Sequence, residues 1–153
     1  MEAVHRGGEG RGPTVLVSSV ESDSHTWNLV YLQLVLEEHG CRVINLGACV
    51  PDDMLLREAV RHAPDLVVIS SVNGHGATDG CSVMGRLRAC VELDGVPVVI
   101  GGKLGTDGAS HEGRLRDAGF DAVFEGDDAI ERLVDLLAER WPGTAQVLAG
   151  AAW

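Results

Sequence analysis

The chain has 153 residues, 45% of them hydrophobic and 23% charged, which is the composition of a globular protein with a buried core rather than of a disordered one. The formal net charge of −11 argues against nucleic acid or an anionic membrane surface as the main partner, because both attract basic proteins. No apolar run approaches the roughly 20 residues that a membrane-spanning helix needs.

The length suits one domain of ordinary size. Residues 1–12 are polar and rich in glycine, and they lack the apolar stretch of a signal peptide. We therefore expect a cytoplasmic protein with a flexible N-terminal tail (1–12), one domain (13–141) and a C-terminal tail (142–153).

Five apolar segments predict β-strands. They are Thr14–Val20, Arg42–Leu46, Asp65–Ser71, Val96–Ile100 and Ala122–Phe124. The centre of the third segment, Leu66–Ile69, is continuously apolar rather than alternating. Runs of this kind predict strands that are covered on both faces, as in parallel sheets.

Five segments with apolar residues at helical spacing lie between and after these strands. They run from about Trp27 to His39, from Pro51 through Val60, from Thr78 to Leu93, from Ser110 to Ala118 and from Asp128 to Arg140. We interpret Trp27, at the start of the first helix, as an anchoring residue of the core.

The alternation of strands and helices predicts a parallel sheet with right-handed crossovers. Five such units fit a flavodoxin-like, doubly wound α/β domain with three layers (α/β/α) and the strand order 2-1-3-4-5. In that order the loops after the first, third and fourth strands flank one crevice. These loops are Ser22–Asn28, Ser70–Gly76 and Gly101–Gly105.

Three common occupants of such a crevice do not fit these loops. The first loop has hydroxyl groups but no glycine, so a phosphate cradle of the flavodoxin kind is not predicted. The third strand ends in Ser70 and Ser71, where a phospho-accepting domain needs an aspartate. The segment Gly74–Gly76 lacks the third glycine of a dinucleotide-binding fingerprint.

The first loop carries Asp23 and His25 two residues apart. In an extended loop, side chains at this spacing point to the same side. A histidine that binds a metal usually has its second ring nitrogen held by a carboxylate or a carbonyl group. Asp23 is therefore placed to hold His25 as a metal ligand.

Taken together, Asp23-x-His25, Ser70-x-Val72 and Gly101-Gly102 each follow or end a predicted strand. This set resembles the cobalamin-binding domain family of B12-dependent mutases and methionine synthase, which carries Asp-x-His-x-x-Gly, Ser-x-Leu and Gly-Gly in the same order. The match is closest to the small subunits of glutamate mutase (methylaspartate mutase) and covers roughly residues 14–140. The chain departs from the pattern at Asn28, where the family has glycine, and at Val72, where it has leucine.

The resemblance implies that cobalamin binds with its dimethylbenzimidazole base detached from cobalt and with His25 as the lower axial ligand. Asp23 would hold the second imidazole nitrogen, Ser70 would meet the detached base, and the two glycines would let the nucleotide tail approach the backbone. The cofactor-binding residues that it implies are Ser22, Asp23, Ser24, His25, Thr26, Ser70, Ser71, Val72, Gly101, Gly102, Lys103, Leu104, Gly105, Thr106 and Asp107. We expect Asn28 to tolerate a glycine-like turn with positive φ.

By the same resemblance, the cofactor is adenosylcobalamin and the reaction is a carbon-skeleton rearrangement such as that of L-glutamate to threo-3-methylaspartate. A larger TIM-barrel subunit would supply the site for an amino-acid-like substrate, so the chain alone would be inactive. Two alternatives remain open. One is a stand-alone cobalamin-binding module that acts as a carrier, a methyl-transfer partner or a sensor. The other is a degenerate domain that binds no cobalamin.

Overall fold

Five parallel strands form one sheet in the order β2-β1-β3-β4-β5 in a computed structural model, which describes residues 12–144. The strands are β1 (Thr14–Ser18), β2 (Arg42–Asn45), β3 (Leu66–Ser71), β4 (Val98–Gly102) and β5 (Ala122–Phe124). Each neighbouring pair is parallel. The predicted sheet and strand order are confirmed.

The strands are connected by helices that run back across the sheet, and a further helix follows β5. The helices are α1 (Trp27–Glu38), α2 (Asp52–His62), α3 (Gly76–Arg88), α4 (Glu112–Ala118) and α5 (Ala129–Arg140). Short 3-10 helices occupy Val91–Leu93 and Pro142–Thr144. No helix within residues 12–144 is long and apolar enough to cross a membrane.

The helices cover both faces of the sheet, which gives the three layers that the sequence predicts. Successive side chains of a strand point to opposite faces. Leu16 of β1 therefore packs with residues of α2, α3 and α4, whereas Val15 and Val17 pack with residues of α1 and α5. All six residues of β3 are buried, as expected for a central strand that is covered on both sides.

Several predicted boundaries differ from the structure, among them those of β1, β4 and α3. β1 ends at Ser18 rather than at Val20, so Ser19 and Val20 lie outside the strand. β4 begins at Val98, directly after Pro97, and extends through Gly102 because Gly101 and Gly102 pair with the end of β3. α3 begins at Gly76 and ends at Arg88, because Cys90 has an extended backbone conformation that separates it from the next 3-10 helix.

Most of the two predicted tails lies outside the described residues, namely 1–11 and 145–153. Within the predicted C-terminal tail, residues 142–144 form a 3-10 helix in which Thr144 is buried. The Thr144 hydroxyl donates a hydrogen bond of 2.8 Å to the carbonyl oxygen of Trp141, so the chain remains packed against the domain as far as residue 144.

Candidate functional site

The loops that follow β1, β3 and β4 meet at the carboxyl edge of the sheet. β1 and β3 are neighbours, although the chain leaves β1 toward β2 on the other side, and a crevice forms at such a switch point. At the end of β3, Ser70 lies opposite Gly101 and Ser71 lies opposite Gly102. The sheet therefore brings the three predicted motifs to one place.

The carboxylate of Asp23 holds His25 by two contacts. Its Oδ1 lies 2.7 Å from Nδ1 of the imidazole ring and accepts a hydrogen bond of 2.9 Å from the backbone N–H of His25. The side chain of Asp23 is fully buried, whereas that of His25 is 59% exposed. An ionised carboxylate can only accept hydrogen bonds, so a neutral imidazole ring carries its hydrogen on Nδ1. Nε2 then keeps its lone pair for a metal.

The other carboxylate oxygen of Asp23 is bound by β3 and the residue that follows it. Oδ2 accepts hydrogen bonds from the backbone N–H of Val72 at 2.7 Å and from the hydroxyl of Ser71 at 3.0 Å. Burial raises the pKa of Asp23, but the backbone N–H groups of His25 and Val72 and the side chains of His25 and Ser71 lower it by more. The pKa is therefore below its ordinary value, and the carboxylate is ionised at neutral pH.

Two residues that the sequence analysis did not assign extend this hydrogen-bond network. The Ser71 hydroxyl also lies 3.1 Å from Oδ1 of Asn73, and the Asn73 amide donates a hydrogen bond of 2.9 Å to Oγ of Ser22. Ser22 in turn donates to the carboxylate of Asp79, in the first turn of α3. The network thus ties the loop after β1 to the loop after β3.

The sequence signals of Asn73 and Asp79 are ambiguous. Asn73 precedes a glycine, and Asn-Gly is an ordinary turn signal. Its Oδ1 does accept a hydrogen bond from the backbone N–H of His75, as in such turns. Asp79 lies in the first turn of a helix, where an acidic residue is favoured simply by its interaction with the helix dipole. Neither pattern indicates a contact with Ser22.

A cavity of about 410 Å³ opens between α1 and α5, above the ends of β3 and β4, and its lining includes Val72, whose backbone N–H binds Asp23. Its wall is mainly apolar and includes Leu32, Phe124 and Leu133. Ser70, Val72, Gly101 and Gly102, four of the predicted cofactor residues, also line it. Its volume is within the range of about 300–1,000 Å³ of pockets that enclose small organic ligands.

Asn28 lies in the wall of this cavity and contacts Ser70. Its Nδ2 donates a hydrogen bond of 2.8 Å to Oγ of Ser70. Position 28 belongs to the first turn of α1 and is not among the residues with positive φ. The expectation that Asn28 preserves a turn with positive φ is therefore wrong, because the helix has already begun there.

Trp27 is not a core residue, contrary to the interpretation from the sequence. It is 82% exposed and forms part of the rim of the cavity. The buried residues of α1 are Leu29, Leu32, Val35 and Leu36, whose spacing turns Trp27 toward the outer side of the helix.

The remaining predicted residues occupy more varied positions. Lys103, Gly105 and Thr106 line a second cavity of about 590 Å³ beside the loop after β5. Leu104 is 2% exposed and packs in the core, although it also borders that cavity. The Asp107 carboxylate accepts a hydrogen bond of 3.1 Å from the N–H of Ala109.

Ser24 and Thr26, two further predicted residues of the first loop, are exposed as well. Thr26 is the N-cap residue of α1, and its side chain makes no capping hydrogen bond. Neither side chain takes part in the network around Asp23.

The profile of one protein family, the B12 binding domain, matches residues 13–150. The chain belongs to the B12-binding domain family. The resemblance that the three motifs indicated is therefore confirmed.

Two curated relatives are glutamate mutase sigma subunits. That of Escherichia coli O157:H7 is 32% identical over 130 residues, which are 82% of this chain and 85% of the relative. That of Halobacterium salinarum is 34% identical over 126 residues, which are 80% of this chain and 83% of the relative. The B12-binding domain of this chain is thus related to the glutamate mutase sigma subunits.

Among solved structures, the fold is similar to a cobalamin-binding protein from Desulfitobacterium hafniense DCB-2, with a TM-score of 0.67 and 19% identity. The match covers 83% of this chain and 59% of that protein, so the chain spans about three fifths of its length. At this identity the likeness supports the fold.

The residues present fit a corrinoid cofactor. The Nε2 atom of His25 is oriented by Asp23 and belongs to an exposed side chain, as an axial ligand requires. The adjacent cavity offers an apolar space for an aromatic base, and its floor at Gly101 and Gly102 carries no side chains. Both the oriented imidazole and the apolar cavity therefore fit a corrinoid.

Proposed function

We propose that this chain is the cobalamin-binding subunit of an adenosylcobalamin-dependent carbon-skeleton mutase similar to glutamate mutase. His25 is the lower axial ligand of cobalt, and the nucleotide tail with its detached base occupies the cavity between α1 and α5. The observation that carries the proposal is the contact between Asp23 and Nδ1 of His25, because it leaves Nε2 of the ring free three residues before Asn28, which lines that cavity.

The adenosyl form of the cofactor supplies radical chemistry for the rearrangement, while the protein binds and orients it. In this chain, His25 would hold the metal through the lone pair of its Nε2 atom. Asp23 fixes the tautomer and the direction of that ring, and the hydrogen bonds from Val72 and Ser71 hold Asp23. The apolar cavity keeps water away from the base.

The partner in this proposal is a larger TIM-barrel subunit that binds an amino-acid-like substrate and closes over the exposed face of the cofactor. Two observations support it. The curated relatives are themselves named as subunits. The His25 side chain is 59% exposed at the open carboxyl edge of the sheet, where a second protein can reach a ligand bound to it.

Spectral titration with adenosylcobalamin tests the ligation. Wild type and His62→Ala should both bind the cofactor with its own base displaced and with an imidazole bound to cobalt. His62 is a matched control because it ends α2, far from the loops at the carboxyl edge of the sheet, and pairs with Glu58. His25→Ala should lose the imidazole spectrum and bind about 10- to 100-fold more weakly. The same spectrum in all three proteins would refute the axial role.

Reconstitution tests the mutase role. The chain is mixed with the catalytic subunit of a glutamate mutase and adenosylcobalamin, and conversion of L-glutamate to threo-3-methylaspartate is followed. The chain alone should give no product, and the mixture should give product with wild type but not with His25→Ala. Tight binding of methylcobalamin together with methyl transfer, and no isomerisation, would instead support the methyl-transfer module.

A further inference from the structure

The contact between Asn28 and Ser70 determines which way the Ser70 hydroxyl can point. Ser70 is 4% exposed and lies in the wall of the cavity between α1 and α5. Its oxygen accepts a hydrogen bond of 2.8 Å from Nδ2 of Asn28. A hydroxyl group carries one hydrogen, and this hydrogen is directed away from a donor that already faces the oxygen.

The other end of the Asn28 amide contributes no competing contact. Its Oδ1 is buried and has no hydrogen-bond partner within residues 12–144. A buried polar atom without a partner is rare and costly in native proteins. The amide is therefore held by its donor end, through the bond to Ser70.

We propose that Asn28 is a positioning residue that presents the Ser70 hydroxyl as a hydrogen-bond donor to the cavity, so that the chain selects cobamides whose detached lower base carries a ring nitrogen with a free lone pair. This inference rests on the proposed binding of a corrinoid with its base in that cavity. Benzimidazole and purine bases have such a nitrogen, whereas phenolic bases do not.

The selectivity follows from the apolar wall of the cavity. A ring nitrogen that leaves cobalt and enters an apolar site needs a new donor, or it remains buried and unpaired. Ser70 supplies that donor when Asn28 occupies its oxygen. A phenolic base offers no ring nitrogen, so the Ser70 hydroxyl would be left without an acceptor. A site built to form a hydrogen bond with its ligand discriminates strongly against a ligand that lacks the bonding group.

The test compares three ligands by their dissociation constants, measured by absorbance titration. They are adenosylcobalamin, the same corrinoid with a phenolic lower base, and adenosylcobinamide, which has no nucleotide tail. Wild type should bind adenosylcobalamin at least about tenfold more tightly than the phenolic form, the equivalent of one paired hydrogen bond.

Two substitutions separate donor geometry from size. Asn28→Asp keeps the shape of the side chain, but a carboxylate accepts only, so the Ser70 hydrogen turns toward it. Its affinity for adenosylcobalamin should fall about tenfold, while its affinity for adenosylcobinamide stays within about twofold. Asn28→Ala should weaken adenosylcobalamin by a smaller factor, because the hydroxyl is then free to rotate.

A double-mutant cycle with Ser70→Ala shows whether Asn28 acts through Ser70. Once the hydroxyl is removed, Asn28→Ala should have no further effect on adenosylcobalamin, whereas independent roles would give additive losses. Additive losses, equal losses for adenosylcobalamin and adenosylcobinamide, or no preference between the two lower bases would each overturn the inference and leave the proposed function standing. A wild-type chain that binds none of the three corrinoids would overturn both.

Discussion

Asp23 uses both carboxylate oxygens as acceptors from the backbone, and an amide cannot replace it. Oδ1 accepts from the N–H of His25 and Oδ2 from the N–H of Val72. In Asp23→Asn, one of these donors would face an NH₂ group. We expect the free energy of unfolding to fall by about 1–3 kcal/mol, measured by urea denaturation. Asp94→Asn, at an exposed position, serves as the control and should change it by less than about 0.5 kcal/mol.

The lowered pKa of Asp23 makes a further prediction about pH. The pKa of Asp23 is lower in the folded chain than its unfolded value of about 3.9, so ionised Asp23 stabilises the fold at pH values above about 3.9. This contribution is lost as the pH falls through the folded pKa. Asp23→Asn cannot titrate. The difference in unfolding free energy between wild type and this variant should therefore narrow between about pH 5 and pH 2. A difference that stays constant over this range would contradict the assignment.

At the scale of single residues, the sequence predicts contacts that follow from spacing along the chain and misses those that depend on packing. Asp23 and His25 are two residues apart, and their contact was expected from that spacing. Asn28 and Ser70 are 42 residues apart and meet only because α1 crosses β3. The exposure of Trp27 was also missed, because a large aromatic side chain was expected to be buried, although the spacing of the apolar residues of α1 places it on the opposite side of the helix.

At the scale of elements, the end of β4 requires glycine for the fold itself. A Cβ atom on Gly102 would lie 2.2 Å from the carbonyl oxygen of Ser71, and the residue has a φ of +117°. Gly102→Ala should therefore lower the free energy of unfolding by about 2–4 kcal/mol in the absence of any cofactor.

Gly113 in α4 provides the matched control, since a Cβ atom there would meet nothing within 4 Å. Gly113→Ala should leave stability unchanged or raise it by up to about 1 kcal/mol, because alanine favours a helix. Both values come from urea denaturation of the apoprotein. A Gly102→Ala variant as stable as wild type would show that the sheet can shift to accept a side chain there.

The boundaries of elements were less predictable than their existence. Each predicted strand and helix is present, because apolar periodicity reports which face is buried. Periodicity does not report where hydrogen-bond pairing stops. Gly101 and Gly102 were expected to follow β4, but pairing with Ser70 and Ser71 extends the strand through them. The change matters for the site, since it makes these glycines a rigid floor of the cavity.

At the scale of the whole molecule, the strand order decides where the site lies. Alternating strands and helices with right-handed crossovers left few topologies, and the order 2-1-3-4-5 is confirmed. That order makes β1 and β3 neighbours and thereby brings His25 close to the end of β3. The cavity itself could not be predicted, because its volume depends on how far α1 and α5 lie apart over the sheet.

A ligand that binds only the folded domain must also stabilise it. Adenosylcobalamin at one hundred times its dissociation constant should raise the melting temperature of the wild-type chain by about 5–15 °C. His25→Ala at the same concentration should show a shift of about half of this or less, because the ligand is then at only about one to ten times its weakened dissociation constant. Differential scanning fluorimetry measures both values, and equal shifts in the two proteins would mean that His25 contributes nothing to binding.

The ligation of cobalt by His25 is tested most directly by electron paramagnetic resonance of the bound cofactor in its cobalt(II) form. The protein is prepared with ¹⁵N-labelled histidine, while the nitrogen of the cofactor's own base remains ¹⁴N. We predict that the nitrogen splitting changes from a triplet to a doublet on labelling, and that no protein nitrogen couples to cobalt in His25→Ala. A triplet that persists in the labelled wild-type protein would show that the base of the cofactor stays on cobalt, and it would contradict the account.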